Sequence, residues 1–259
     1  MKQIEVLFQQ GEHRWVVVAR DNDRANYLID TNEYLVSFKG VSLLTDPGGM
    51  EIFPTVFAAL SQEVDINSIQ YLFASHQDPD IISSLGLWLD VNPDIRCYSS
   101  WLWHSFIPHF GGNDTTFIAI PDEGMSMNMN GLSLQAIPAH YLHSSGNFQL
   151  YDPVAKILFS GDVGAAIAPA EEDTLFVEDF DKHIKYAEGF HRRWMGSNEA
   201  KQEWCERVAN MNIDLLCPQH GSIYQGNDVI RFINWFAELP VGMAIHSMAN
   251  NSVLKAKAS

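Results

Sequence analysis

Three side chains able to ligate a metal stand at alternate positions in Phe73-Ala74-Ser75-His76-Gln77-Asp78-Pro79-Asp80-Ile81, just past an apolar, strand-like run. On a loop leaving a strand end, residues two apart can converge on one or two cations, and Pro79 limits the loop's freedom. Alone, the pattern His-x-Asp-x-Asp describes a solvated acidic turn equally well. Three further segments shift that balance: His143-Ser144-Ser145-Gly146, Ser160-Gly161-Asp162 and Pro218-Gln219-His220-Gly221. Each lies near the end of a strand-like run and beside small residues that allow close approach. Imidazole and carboxylate donors drawn from four such loops suit a metal site.

The other titratable side chains offer less. His13, His104, His109, His183, His191 and His246 have no ligand spacing and read as surface or core residues. Cys97, Cys205 and Cys217 stand singly, with no C-x-x-C pair, which argues against a zinc ribbon, a rubredoxin-like iron site and a dithiol redox pair. The aromatic stretch Trp101-Leu102-Trp103-His104, with Phe106, is open to three readings: a wall of the metal pocket, core, or a dimer contact.

The elements that must carry these loops change character along the chain. Short β-branched and aromatic runs at Ile4 to Phe8, Trp15 to Ala19, Tyr27 to Ile29, Tyr34 to Val36 and Val41 to Leu44, broken by polar turns, read as an antiparallel meander. Helices are expected at Ile52 to Val64 and Ile81 to Leu89, with a strand at Ile69 to Ala74 between them. Further strands are expected at Ile95 to Tyr98, Thr116 to Ile120, Leu132 to Ile137, Phe148 to Tyr151, Ile157 to Phe159 and Ile213 to Cys217. Helices follow at Phe180 to Met195, from the Ser197-Asn198-Glu199 cap to about Met211, and at Asp228 to Glu238. Strands flanked and interleaved by helices in this order imply an α/β architecture with two sheets inside and helices outside.

Composition bounds the rest. With 259 residues, 46% of them hydrophobic, and no linker-like stretch, the chain reads as one domain over 1–259. The net charge of −16 repels phosphate backbones, so nucleic acid is not an expected partner. The longest apolar runs fall short of the roughly 20 residues that span a bilayer, so no membrane partner is expected. The N-terminus lacks the basic flank and apolar stretch of a signal peptide, and a cytoplasmic location is expected.

From Asp46-Pro47-Gly48 to His220-Gly221 the chain resembles the metallo-β-lactamase superfamily, whose fold is an αββα sandwich. That superfamily usually shows His-x-His-x-Asp-His in its first metal loop; here Asp78 replaces the second His and Ile81 the last. A carboxylate in the second place is similar to the flavodiiron proteins and related oxygen-binding diiron proteins, whose loop is typically His-x-Glu-x-Asp. Exchanging imidazole for a hard, anionic oxygen suits iron better than zinc, although zinc also accepts carboxylate. The resemblance implies one ion held by His76, Asp78 and His143, a second by Asp80 and His220, and Asp162 bridging them. His143 rather than His140 fits the family pattern, being followed by Gly146, Phe148, Tyr151 and Asp152.

Two functional classes follow from that resemblance. The first is a non-haem diiron protein that binds O2, or reduces O2 or NO. The stretch from His220 to Ser259 is too short for the flavodoxin-like domain of flavodiiron proteins. Turnover would therefore call on an external reductase, and binding or sensing, with a signalling protein as partner, ranks above reduction. The alternative is a dinuclear zinc hydrolase, the commonest chemistry on the fold, weakened by Asp78 and Ile81. A vestigial site ranks last, because all six ligand positions carry competent residues. A homodimer is compatible with the family's habit of bringing the metal site of one chain to the flavin of another.

Overall fold

The computed structural model describes residues 4–19, 29–113, 116–169, 172 and 174–243. Its first sheet contains β1 (Ile4–Gln10), β2 (His13–Val18), β3 (Glu33–Phe38), β4 (Val41–Thr45), β5 (Ile69–Phe73), β6 (Arg96–Ser100) and β7 (Phe117–Ile120), hydrogen-bonded in that order. The meander expected from the sequence is present, since β1 to β4 pair antiparallel. From β4 to β7 the pairing turns parallel. The connections then need crossovers, supplied by α1 (Phe53–Leu60) between β4 and β5, by α2 (Pro79–Ile82) and α3 (Leu85–Val91) between β5 and β6, and by two short 3-10 turns (Trp101–Trp103 and Ile107–Phe110) between β6 and β7.

The second sheet holds β8 (Met125–Met129), β9 (Leu132–Pro138), β10 (Phe148–Asp152), β11 (Ile157–Gly161), β12 (Leu215–Pro218) and β13 (Tyr224–Gln225), in the order β13-β12-β11-β10-β9-β8. Its helices are α4 (Phe180–Trp194), α5 (Asn198–Val208) and α6 (Asn227–Glu238). Asp179 caps α4 by accepting from the N–H of Lys182 at 3.1 Å, and Ser197 caps α5 by accepting from Ala200 at 3.1 Å.

The alternation of side chains along each strand explains the layering. In β2, Trp15 and Val17 enter the core between the sheets, while Val16 and Val18 face the cluster formed with Val56, Leu85 and Trp88 of the first helices. In β11, Ile157 and Phe159 face the other sheet, and Leu158 packs with Trp204, Phe232 and Phe236 of the second helical layer. Strands buried on both faces read as continuous apolar runs, as these do. The result is the expected αββα sandwich.

Several boundaries differ from the sequence expectation. The helix expected over 52–64 ends at Leu60, and the one expected over 81–89 divides into α2 and α3 at Ser83-Ser84. There the Ser84 hydroxyl donates to the carbonyl of Pro47, and its N–H to that of Gly48, so tertiary bonds replace the helical ones. β8 and β13 are additional strands. The run Tyr27 to Ile29 lies outside the described residues except for Ile29, which is in no strand. Cys97, Cys205 and Cys217 are all free and buried, and burial pushes the Cys97 thiol up to about 12. No helix among the described residues is long and apolar enough to cross a membrane.

Candidate metal centre

All six side chains singled out in the sequence come together where four strands end. His76 and Asp78 follow β5, Asp80 lies in α2, His143 follows β9, Asp162 follows β11 and His220 follows β12. Asp162 is central. One of its oxygens lies 2.8 Å from Nε2 of His143 and 3.6 Å from Nε2 of His76, while the other lies 3.4 Å from Nε2 of His220. Asp78 Oδ2 stands 3.6 Å from His76 and 3.5 Å from His143; Asp80 Oδ2 stands 3.3 Å from His220. The six thus divide into two groups sharing one carboxylate. In the first, His76, Asp78 and His143 present ligand atoms all within 4.8 Å of one another, close enough to hold one ion.

The charges of the cluster are strongly coupled. Burial disfavours the charged form of His76, yet the carboxylates of Asp162 and Asp78 override it and lift its pKa to about 9. His220 is likewise disfavoured by burial and lifted to about 9 by Asp80 and Asp162. Burial raises the Asp162 carboxyl, but His76, His143 and His220 outweigh that and hold it well below the usual carboxylate range. Nε2 of His76 and Oδ1 of Asp162 are nevertheless buried without a hydrogen-bond partner. A cation among these atoms would supply the missing interaction, so the donor set fits a metal.

Outer hydrogen bonds fix which ring nitrogen faces inward. Asp46 accepts from the N–H of Ser75 at 2.7 Å and from its hydroxyl at 2.6 Å; that hydroxyl lies 2.9 Å from Nδ1 of His76. Because the Ser75 hydroxyl spends its proton on Asp46, it accepts from Nδ1–H, so in the neutral ring Nε2 is the bare nitrogen facing the site. Nδ1 of His220 donates to the carbonyl of Asp30, with the same outcome. The loops are also tied to one another. Ser144 donates to Gln77 at 2.7 Å, and the Gln219 amide donates to the carbonyl of Asp80 at 3.0 Å. Gly161 has φ +55°, and a Cβ there would sit 3.3 Å from Ser75, so glycine lets the Asp162 loop approach the His76 loop.

Two neighbouring residues are settled by position. Nε2 of His140 lies 2.8 Å from the carbonyl of Asp122 and its ring packs against Phe148, away from the cluster. Ile81 is fully buried in the core under the first helices and cannot ligate.

The aromatic stretch at 101–106 resolves into separate roles. Trp103 packs on the core, and its Nε1 lies 2.9 Å from where a Cβ on Gly146 would be, so it backs the His143 loop. Trp101 and Phe106 are exposed. The rings that touch the site histidines come instead from α4: Trp194 lies 5.4 Å from His143, Phe190 lies 6.5 Å from His220, and the two are stacked 5.9 Å apart. Nothing in the one-dimensional spacing of α4 points to this, although its i,i+4 aromatic pair is visible once the helix is assigned.

Two packed sheets between helical layers, with a histidine–aspartate cluster at the strand ends, define a metallo-β-lactamase-like protein. Residues 29–221 match the family model described as "ODP family beta lactamase", and the chain belongs to that family. Among solved structures, it is similar to a chemotaxis sensor ODP captured as a peroxy diiron species, at 39% identity and TM-score 0.82, covering 93% of this chain and 96% of that one. The apo state of chemotaxis sensor ODP from T. denticola matches at 38% identity with the same TM-score and coverage. A flavo di-iron protein variant from Thermotoga maritima shares the fold at 23% identity and TM-score 0.78, over 92% of this chain and 61% of that one. Among curated proteins, an uncharacterized protein of Methanocaldococcus jannaschii is 26% identical over 80% of this chain and 52% of its own length. A putative diflavin flavoprotein of Synechocystis is 26% identical over 67% and 30% respectively. The chain thus spans about half or less of these curated relatives.

Proposed function

We propose that this chain holds two iron ions and binds O2 at them, acting as an oxygen-responsive sensor. The observation that carries the reading is Asp162, whose two oxygens face different histidine groups, flanked by Asp78 where relatives in the wider superfamily use imidazole. His76, Asp78 and His143 would hold one ion, Asp80 and His220 the other, and Asp162 would span both. Paired ferrous ions supply two electrons to one bound diatomic ligand.

The surrounding residues serve that task. Ser75, Asp46 and Asp30 keep Nε2 of His76 and His220 turned inward, where it is the nitrogen that gives up its proton to a metal. The second group offers fewer protein donors than the first, which leaves room for a small exogenous ligand. The similarity to a chemotaxis sensor solved as a peroxy diiron species supports iron and O2 over zinc and hydrolysis. The dinuclear zinc hydrolase that shares this fold has no comparable support, and Asp78 and the buried Ile81 weigh against it. Reduction of O2 or NO, as distinct from binding, would call on an external electron donor.

The test is metal analysis of protein purified without air, followed by optical spectra on adding O2. Two irons per chain and a new visible absorption band are expected. Two zincs, ester or lactone hydrolysis and an unchanged spectrum would overturn the reading.

A further inference from the structure

Trp194 and Phe190 do more than fill space beside the cluster. They stand four residues apart on one face of α4, where side chains meet, and their stacked rings reach from His143, in the first group of donors, to His220, in the second. They form one wall of the site. At 5.4 Å the Trp194 and His143 rings are in ordinary aromatic contact, so no ring can pass between them unless the indole moves. On another side, the ligand carboxylates Asp78 and Asp80 are 29% and 30% exposed, giving a diatomic molecule a way in.

Ring contacts, not polar bonds, place the indole. Trp194 is 53% exposed, and among the described residues no hydrogen bond holds its Nε1–H. The stack on Phe190 and the contact with His143 hold it against the site.

Resting on the diiron reading above, we propose that Trp194, backed by Phe190, is the specificity-determining residue of this site: it admits diatomic and small linear ligands and excludes ring-sized ones. Exclusion is steric and needs no titration or metal movement. The same wall would keep the bulky esters and lactams of hydrolytic relatives away from the cluster.

The test uses the full chain loaded with iron and oxidised, titrated with azide and with 4-nitrocatechol, each followed by its charge-transfer band. Wild type should bind azide and leave 4-nitrocatechol unbound. Trp194→Ala should bind 4-nitrocatechol at least about tenfold more tightly than wild type while its azide affinity stays within about twofold. Trp194→Phe should restore exclusion. Trp194 is largely solvent-facing, so these variants keep the fold, and iron content per chain checks this. Iron-replete wild type that already binds 4-nitrocatechol, or a Trp194→Ala variant that binds it no better, would overturn the gate alone. Wild type that retains no iron would overturn both the gate and the diiron reading.

Discussion

The backbone N–H of Gly164 donates to Nε2 of His191 at 3.0 Å, joining the Asp162 loop to the last turn of α4. Nδ1 of His191 donates in turn to the carbonyl of Ala187 at 2.8 Å, and burial pushes the imidazole down to about 4, so it stays neutral and keeps a lone pair for Gly164. His191→Leu leaves a buried N–H without an acceptor and is expected to lower unfolding free energy by about 1–3 kcal/mol. Urea unfolding checks this. A loss below about 0.5 kcal/mol would show that the loop is held by other contacts.

Asp162 is expected to decide metal occupancy. Asp162→Asn removes the negative charge shared by His76, His143 and His220 and replaces one oxygen with an NH2 group that cannot ligate. Iron content should fall to one ion per chain or fewer. His220→Ala, by contrast, removes a donor from the second group alone and should leave about one ion per chain. Elemental analysis of the two variants, prepared in parallel without air, separates these outcomes; equal and full occupancy in both would contradict the shared-carboxylate arrangement.

Proton competition gives a signed pH dependence. In the metal-free chain His76 and His220 have pKa values raised to about 9, against roughly 6.5 for an unperturbed histidine. Their charged form therefore stabilises the metal-free fold fully below about pH 6.5, and that contribution is lost as pH rises through about 9. Metal must displace the same protons, so affinity should increase from pH 6 to pH 9, by up to about tenfold per unit for each proton released. Titration of the metal-free protein with Zn2+, as a redox-inert probe, at several pH values measures the slope. A flat profile would mean that both histidines are already neutral.

Away from the site, Asp152 fastens β10 to β2 across the sandwich. It accepts from Nε1 of Trp15 at 2.7 Å and from the backbone N–H groups of Val154 and Ala155, and lies 2.7 Å from Nε2 of His13. Burial alone would raise its pKa, but the hydrogen bonds from His13, Trp15 and Ala155 lower it overall. Its contribution is thus present above the ordinary carboxylate range and lost as pH falls through its own lowered value. Asp152→Ala is expected to destabilise the fold by about 3 kcal/mol or more, because several buried donors lose their partner. Thermal unfolding of the variant and wild type at neutral pH provides the measurement.

The site was readable in the sequence to the extent that its donors follow strands. His76, Asp78 and Asp80 stand together on one loop, and His143, Asp162 and His220 each close an apolar run, so local pattern brings them to notice. Asp46 and Ser75 carry no such mark; they matter only because parallel pairing places β4 beside β5 and brings the two strand ends together. His191, Phe190 and Trp194 sit in a helix that amphipathic pattern locates, yet pattern cannot say which loop that helix will face. β8 escaped notice because Met125-Ser126-Met127-Asn128-Met129 lacks β-branched residues and earns its place by pairing with β9. β13, at two residues, is too short for any periodicity.

The cluster's loops spring from β5, β11 and β12, whose Phe73, Phe159 and Cys217 lie in the sealed interior between the sheets. Their roots are therefore among the last parts of the molecule to open, so the donors stay anchored even when the margins of the sandwich fray.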